Sequence, residues 1–178
     1  MKTIKTLFIV LLILVLTPLN AQTADEIIWN VKVMHPEGKT IDIKAIDQQG
    51  NIYDVKALQD SEQYSFLDIK AFVNGNELPV KLLVSKDQYA PLKAIGPDGT
   101  VFDIKAINSD GTKLDIKGIS SSGNLIHVKA ISESGELYGV KAIAPDGKTN
   151  HVKGIKISEK QMSIAEIDVY AHVKAIKQ

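Results

Sequence analysis

Pro97-Asp98-Gly99-Thr100-Val101-Phe102-Asp103-Ile104-Lys105-Ala106-Ile107 is the stretch that decides how this chain folds. Pro-Asp-Gly fits a type I turn closed by a left-handed glycine, a frequent hairpin connection. The residues that follow are rich in β-branched and aromatic types and alternate with period two, which is strand chemistry. Phe102, Ile104 and Ala106 fall on one face; Val101, Asp103, Lys105 and Ile107 fall on the other. One face is made for burial, and the other carries charge.

The unit recurs in both directions. It reappears as Asp42-Ile43-Lys44-Ala45-Ile46, Asp54-Val55-Lys56-Ala57-Leu58, Asp115-Ile116-Lys117-Gly118-Ile119, His127-Val128-Lys129-Ala130-Ile131 and His151-Val152-Lys153-Gly154-Ile155. The repeat lysines stand at 32, 44, 56, 70, 81, 93, 105, 117, 129, 141, 153 and 174. Their spacing is 12 residues except for intervals of 14, 11 and 21. Twelve residues hold one strand and one turn. We therefore expect an all-β fold, an antiparallel meander of about twelve short strands. Irregular stretches are expected near Gln59–Ser65 and Ser158–Ser163. So many strands with an apolar face do not stay flat, and the sheet is expected to curl into a flattened barrel or fold as two layers. Pro79 and Pro91, inside adjacent strands, point to an edge, bulge or crease that splits an earlier sheet from a later one.

Three-residue turns set the pairing. They place Lys32 opposite Asp42, Lys44 opposite Asp54, Lys93 opposite Asp103 and Lys105 opposite Asp115, and they continue to Asp103 opposite Lys117. Each such pair contributes about 0.2–1 kcal/mol. The resulting checkerboard favours antiparallel pairing over a parallel solenoid, in which lysine would stack on lysine at about 4.8 Å. Successive hairpins of a meander alternate between hydrogen-bonded and non-hydrogen-bonded closure, so bulges or mixed turn types are expected.

The tandem V-K-A-I motifs with D-G turns, behind a leader, resemble a group of small secreted bacterial proteins that are uncharacterised. The resemblance covers most of residues 30–155 and again 168–177, and it implies no activity. The leader is read from Lys2 and Lys5, the apolar run Leu7–Leu16, and the small-residue end at Ala21. Ten apolar residues span about 15 Å of helix, half a hydrocarbon core, so residues 1–21 are expected to be a cleaved signal peptide. No cysteine follows for lipid attachment. Residues 22–178 are then a single β-repeat domain, secreted or periplasmic, with an extracellular or envelope partner. An outer-membrane barrel does not fit, because three outward apolar positions per strand cover too little of the bilayer; the mature chain is expected not to span a membrane.

The 178-residue chain has 21 basic and 21 acidic residues, all the basic ones lysine, and no cysteine. Zero net charge and the absence of arginine argue against nucleic acid as a partner. The absence of cysteine removes disulfides, thiol catalysis and Cys-ligated metals. Ala142–Thr149 matches a loose phosphate-loop pattern, but it is a repeat strand and hairpin turn in which Pro145 lacks an N–H and Asp146 repels phosphate. No catalytic constellation, metal set or cofactor motif stands outside the repeat, so a non-enzymatic structural or binding protein is expected. The alternative is a lectin-like or anion-binding protein. His127, His151 and His172 replace the repeat aspartate. Residues 22–126 hold 15 acids against 11 lysines, and residues 127–178 hold 6 against 8. His127, Lys129, Lys141, His151 and Lys153 thus form a candidate anion or partner patch, expected to strengthen below pH ~6.5. A metal between His127 and His151 is disfavoured by an expected intervening strand and by Lys141.

Overall fold

The computed structural model describes residues 26–157 and 162–177. The expected leader, and part of the irregular stretch at Ser158–Ser163, lie outside the described residues. In chain order the strands are β1 (Ile27–Met34), β2 (Thr40–Ile46), β3 (Ile52–Gln59), β4 (Phe66–Val73), β5 (Asn76–Leu83), β6 (Ala90–Ile95), β7 (Val101–Ile107), β8 (Lys113–Ser122), β9 (Leu125–Ile131), β10 (Leu137–Ile143), β11 (Thr149–Lys156), β12 (Met162–Ile164) and β13 (Ile167–Ile176). All pair antiparallel in one sheet that closes on itself, and the described residues contain no helix. The sheet curls shut, as its apolar face requires, but not as a regular barrel.

The strands associate in threes. The end of β1 pairs with the start of β2, the end of β2 with the start of β3, and the start of β1 with the end of β3. Each strand therefore forks along one edge, and the three enclose a triangle. The same arrangement holds for β6, β7 and β8, and for β9, β10 and β11. The remaining triangle is assembled from distant pieces, β4, β5 and the C-terminal β13. Short β12 pairs with β13 alone. The other edge of every triangle strand runs against a strand of a different triangle: β1 with β10, β2 with β7, β3 with β4, β5 with β6, β8 with β9, and β11 with β13. Any two triangles share one such ribbon, so four faces joined along six edges have the connectivity of a tetrahedron.

The expected mixture is present, with two-residue turns beside three-residue ones and register shifts in β8 and β13, and forking lets the three-residue turns repeat. Both hairpins of β2, of β7 and of β10 lie on one edge of the strand, so identical registers and identical turns serve both. Six turns are alike: the N–H groups of His35, Asp47, Gly96, Asn108, Ser132 and Ala144 each donate to the carbonyl four residues on. Three residues after each of these stands a glycine with φ between 78° and 87°, a conformation that side chains resist. Two-residue turns stand at Asn74-Gly75, Gly123-Asn124 and Ala165-Glu166, and the first of them shortens one lysine interval to 11.

The four Lys–Asp hairpin pairs are present in the expected register. Asp103 does not face Lys117, because β7 leaves β8 at Lys105; Lys117 stands opposite Pro91 and Lys129. Nor does the sheet avoid lysine opposite lysine. Lys32/Lys141, Lys44/Lys105, Lys56/Lys70, Lys81/Lys93, Lys117/Lys129 and Lys153/Lys174 are partners at the middle of the six ribbons. The repulsion is offset where each ammonium turns to an acceptor on its own face, as Lys44 does to Asp54 and Lys105 to Asp115. Pro79 and Pro91 occupy the forks opposite Lys70 and Lys117, where one ladder ends and an N–H is dispensable, and no crease divides the sheet.

Inward residues form one continuous core, including Val33, Ile43, Ile104, Val128 and Val140. Turns and strand ends gather at the four corners, three of which hold aromatic pairs. His35 meets Tyr138 with ring centres 4.9 Å apart, Tyr53 meets Phe102 edge-on at 5.8 Å, and Trp29 stacks on Tyr64 at 6.1 Å. The buried Trp29 indole N–H donates to Gln59 Oε1 at 2.9 Å. At the fourth corner Leu82 fills the space, against Ile126, Gly118 and Gly154.

Candidate anion-binding face

Each face presents three lysines, and opposite each lysine lies the residue two places before another lysine of the same triangle. These twelve slots decide the chemistry of the faces. On the first face they hold Asp42, Asp54 and Asn30. Lys32 and Lys44 bond the two aspartates, and Lys56 donates to Asn30 Oδ1 at 2.9 Å. On the β6–β8 face the slots hold Asp103, Asp115 and Pro91. Lys93 and Lys105 bond their aspartates, and Lys117 lies 3.3 Å from Asp115. The face of β4, β5 and β13 has Asp68 opposite Lys174, His172 opposite Lys81 and Pro79 opposite Lys70.

The face of β9, β10 and β11 has no carboxylate slot. His127 stands opposite Lys153, His151 opposite Lys141, and Gly139 opposite Lys129. Among the described residues no acid lies within ion-pair distance of these three lysines. The five residues His127, Lys129, Lys141, His151 and Lys153 are thus brought together on one triangle. No strand intervenes between the two histidine strands, because β9 and β11 pair directly. What separates the imidazoles chemically is lysine: Lys153 Nζ donates to His127 Nδ1 at 3.1 Å, and Lys141 faces His151. Among the described residues no cluster of three histidines or carboxylates is placed to hold a metal.

Here the histidines stand in an aspartate's place, and His127 accepts from Lys153 as an aspartate would. The Lys153 ammonium, then burial, then Lys129 hold His127 below the ordinary histidine pKa. Burial, followed by Lys141, Lys153 and Lys129, does the same to His151. Burial and Lys129 lower Lys153, which is itself buried. The adjoining face repeats the device. His172 is depressed by burial, Lys81 and Lys174 against the opposing Asp68, and its Nδ1 contacts Lys81 Nζ. Native histidines that resist protonation bind fewer protons than the unfolded chain, so stability falls as pH drops below about 6.5 and levels off below the native values. Thermal unfolding followed from pH 8 to pH 5 is expected to show that decline, reduced in His127→Gln; a flat profile would contradict it. A second loss belongs below the ordinary aspartate range, since Lys44 and Lys105 hold Asp54 and Asp115 down.

Gly139 joins the patch read from sequence, and the Lys81/His172 pair of the adjoining face stands apart from it. The signal for both is the slot two residues before the repeat lysine, filled by glycine in Leu137-Tyr138-Gly139-Val140-Lys141. The phosphate-loop lookalike at Ala142–Thr149 is a hairpin end, in which Ala144 N–H donates to the Lys148 carbonyl and Lys148 Nζ bonds Asp146 at 2.6 Å.

Fold and face together define an all-β protein of one closed antiparallel sheet, in which the lysines of the β9–β11 face stand opposite no carboxylate. The chain belongs to a family of unknown function, DUF7486, whose model matches residues 25–176. No curated protein and no solved structure matches it.

Proposed function

We propose that this is an exported, non-enzymatic binding module of the cell envelope or extracellular space, which offers its β9–β11 face to an anionic partner. The observation that carries the reading is the contrast among faces: three repeat lysines with no carboxylate slot on this one, against lysine–aspartate pairs on the others. Export rests on the leader residues Lys2 to Ala21. Heparin retention at pH 7.5 tests it. The protein is expected to be retained at low salt, to elute as salt screens the lysines, and to flow through as Lys141→Glu. Lys86→Glu, the same charge change at an exposed loop position off the face, is expected to stay bound. Retention should tighten as pH falls below 6.5, since both histidines are held below the ordinary value. Flow-through of the unaltered protein, or equal loss in Lys86→Glu, would leave a purely structural module, the reading that the paired first face favours.

A further inference from the structure

Gly139 is glycine for no backbone reason. Its φ is not left-handed, unlike the turn glycines, and a Cβ added there would meet nothing within 4 Å, unlike those at Gly118 and Gly154. Every other slot across from a repeat lysine carries a side chain: aspartate, asparagine, histidine or proline. Here the place where Asp115 meets Lys105 on another face is open space in front of Lys129.

We infer that the open slot at Gly139 binds a tetrahedral oxyanion, a phosphate or sulfate group, seated against Lys129 where other faces use an aspartate carboxylate. Lys141, two places along β10 from Gly139 as Lys117 is from Asp115, is the second cation beside the slot, and Lys153 is the face's third lysine. The inference rests on the reading of this face as a binding surface and narrows it to a ligand chemistry and a position. The three lysines of this face have no carboxylate within ion-pair distance among the described residues, so a doubly charged tetrahedral anion answers more of their charge, and lysine serves phosphate as a compact point charge. One oxygen is left toward solvent, free or esterified. A carboxylate brings a single negative charge and leaves more of the face's charge unanswered. The groups facing the slot are Lys129 and His127 on β9, Lys141 on β10, and His151 and Lys153 on β11. Behind them across the ribbons stand Lys32, Lys117 and Lys174. Each of those three is itself paired with an acid, Asp42, Asp115 and Asp68. The groups of the face itself are therefore basic while the acids stand behind them, and binding tightens as His127 and His151 protonate.

Inorganic phosphate, sulfate and acetate, added at equal ionic strength, test this by thermal shift and by the imidazole resonances of His127 and His151. Phosphate and sulfate are expected to raise Tm and move both resonances, and acetate to do neither. Gly139→Asp fills the slot from within: it should raise the Tm of the free protein and weaken phosphate by about 10–100-fold, one charge-assisted hydrogen bond's worth. Gly139→Ala, which adds only a methyl group, should keep binding, and Lys129→Gln should lose it. Phenyl phosphate bound as well as free phosphate assigns the site to monoesters; its exclusion assigns it to the free ion. An unchanged phosphate response in Gly139→Asp, or a lowered Tm of that variant without ligand, overturns the inference. Heparin retention that Lys141→Glu abolishes, with no phosphate response, overturns the slot and leaves the face reading standing. Neither heparin retention nor phosphate response overturns both.

Discussion

Leu82→Ala is expected to destabilise the protein by about 2–5 kcal/mol, and adding Gly118→Ala and Gly154→Ala to the same chain is expected to recover much of that loss. At three corners the residues after the lysines are small or β-branched: Ala45, Ala71 and Ala94; Ala57, Ala142 and Ala175; Val33, Ala106 and Ala130, all buried. At the fourth corner one of the three is the fully buried Leu82, and the other two have no side chain at all. A Cβ at position 154 would lie 2.5 Å from Leu82 Cδ1, and one at 118 would lie 3.0 Å from the same atom. Each glycine→alanine change alone overpacks the corner, at a cost of about 1–3 kcal/mol. In the Leu82→Ala background the same changes fill a void and remove backbone freedom from the unfolded chain, so their sign reverses. Urea unfolding of the singles, doubles and triple measures this coupling. Strictly additive losses would refute the corner described here.

Ending the chain after Glu166 should abolish cooperative folding. β13 completes the face begun by β4 and β5 some ninety residues earlier, buries Val169, Ala171, Val173 and Ala175, and pairs with β4, β5 and β11 as well as β12. Its removal uncovers backbone on three strands and opens the core at one face. That exceeds the stability of about 5–15 kcal/mol available to a domain. Circular dichroism of the truncated protein should show no thermal transition, and a peptide covering 167–177 added in trans should restore one. In an open meander the last strand is a terminal one, and its loss shifts the midpoint modestly. A sharp transition within a few degrees of the intact protein would therefore argue against closure through β13.

The local half of this architecture is written plainly in the chain. Glycine turns, period-two alternation and the constant interval give the hairpins, the inward face and the Lys–Asp pairs from Lys32/Asp42 to Lys105/Asp115. The forks are not legible, because hairpin arithmetic concerns neighbours in sequence. A ribbon such as Lys32/Lys141 joins repeats that present nearly the same edge to any partner. The irregular intervals of 14, 11 and 21 do carry a trace: they flank β4 and β5 and precede β13, the strands of the discontinuous face. The candidate patch is legible because substitution of aspartate by histidine stands out against the repeat. Hairpin arithmetic already puts Gly139 opposite Lys129, but not the direct β9–β11 pairing that seats Lys153 against His127, nor the empty space above the glycine.

Pairing on both edges governs how other molecules can engage this protein. Among the described strands only β12, three residues long, is bonded along one edge alone. Strand addition, by which many β-proteins accept extended peptides, therefore has no adequate template here, and the same closure denies a starting row to cross-β growth. Recognition is left to side chains standing on the faces and at the corners, over a backbone whose own hydrogen-bonding capacity is already spent on itself. Partners of such a protein read charge and shape, and exchange of one slot residue rewrites what they read without moving the frame beneath it.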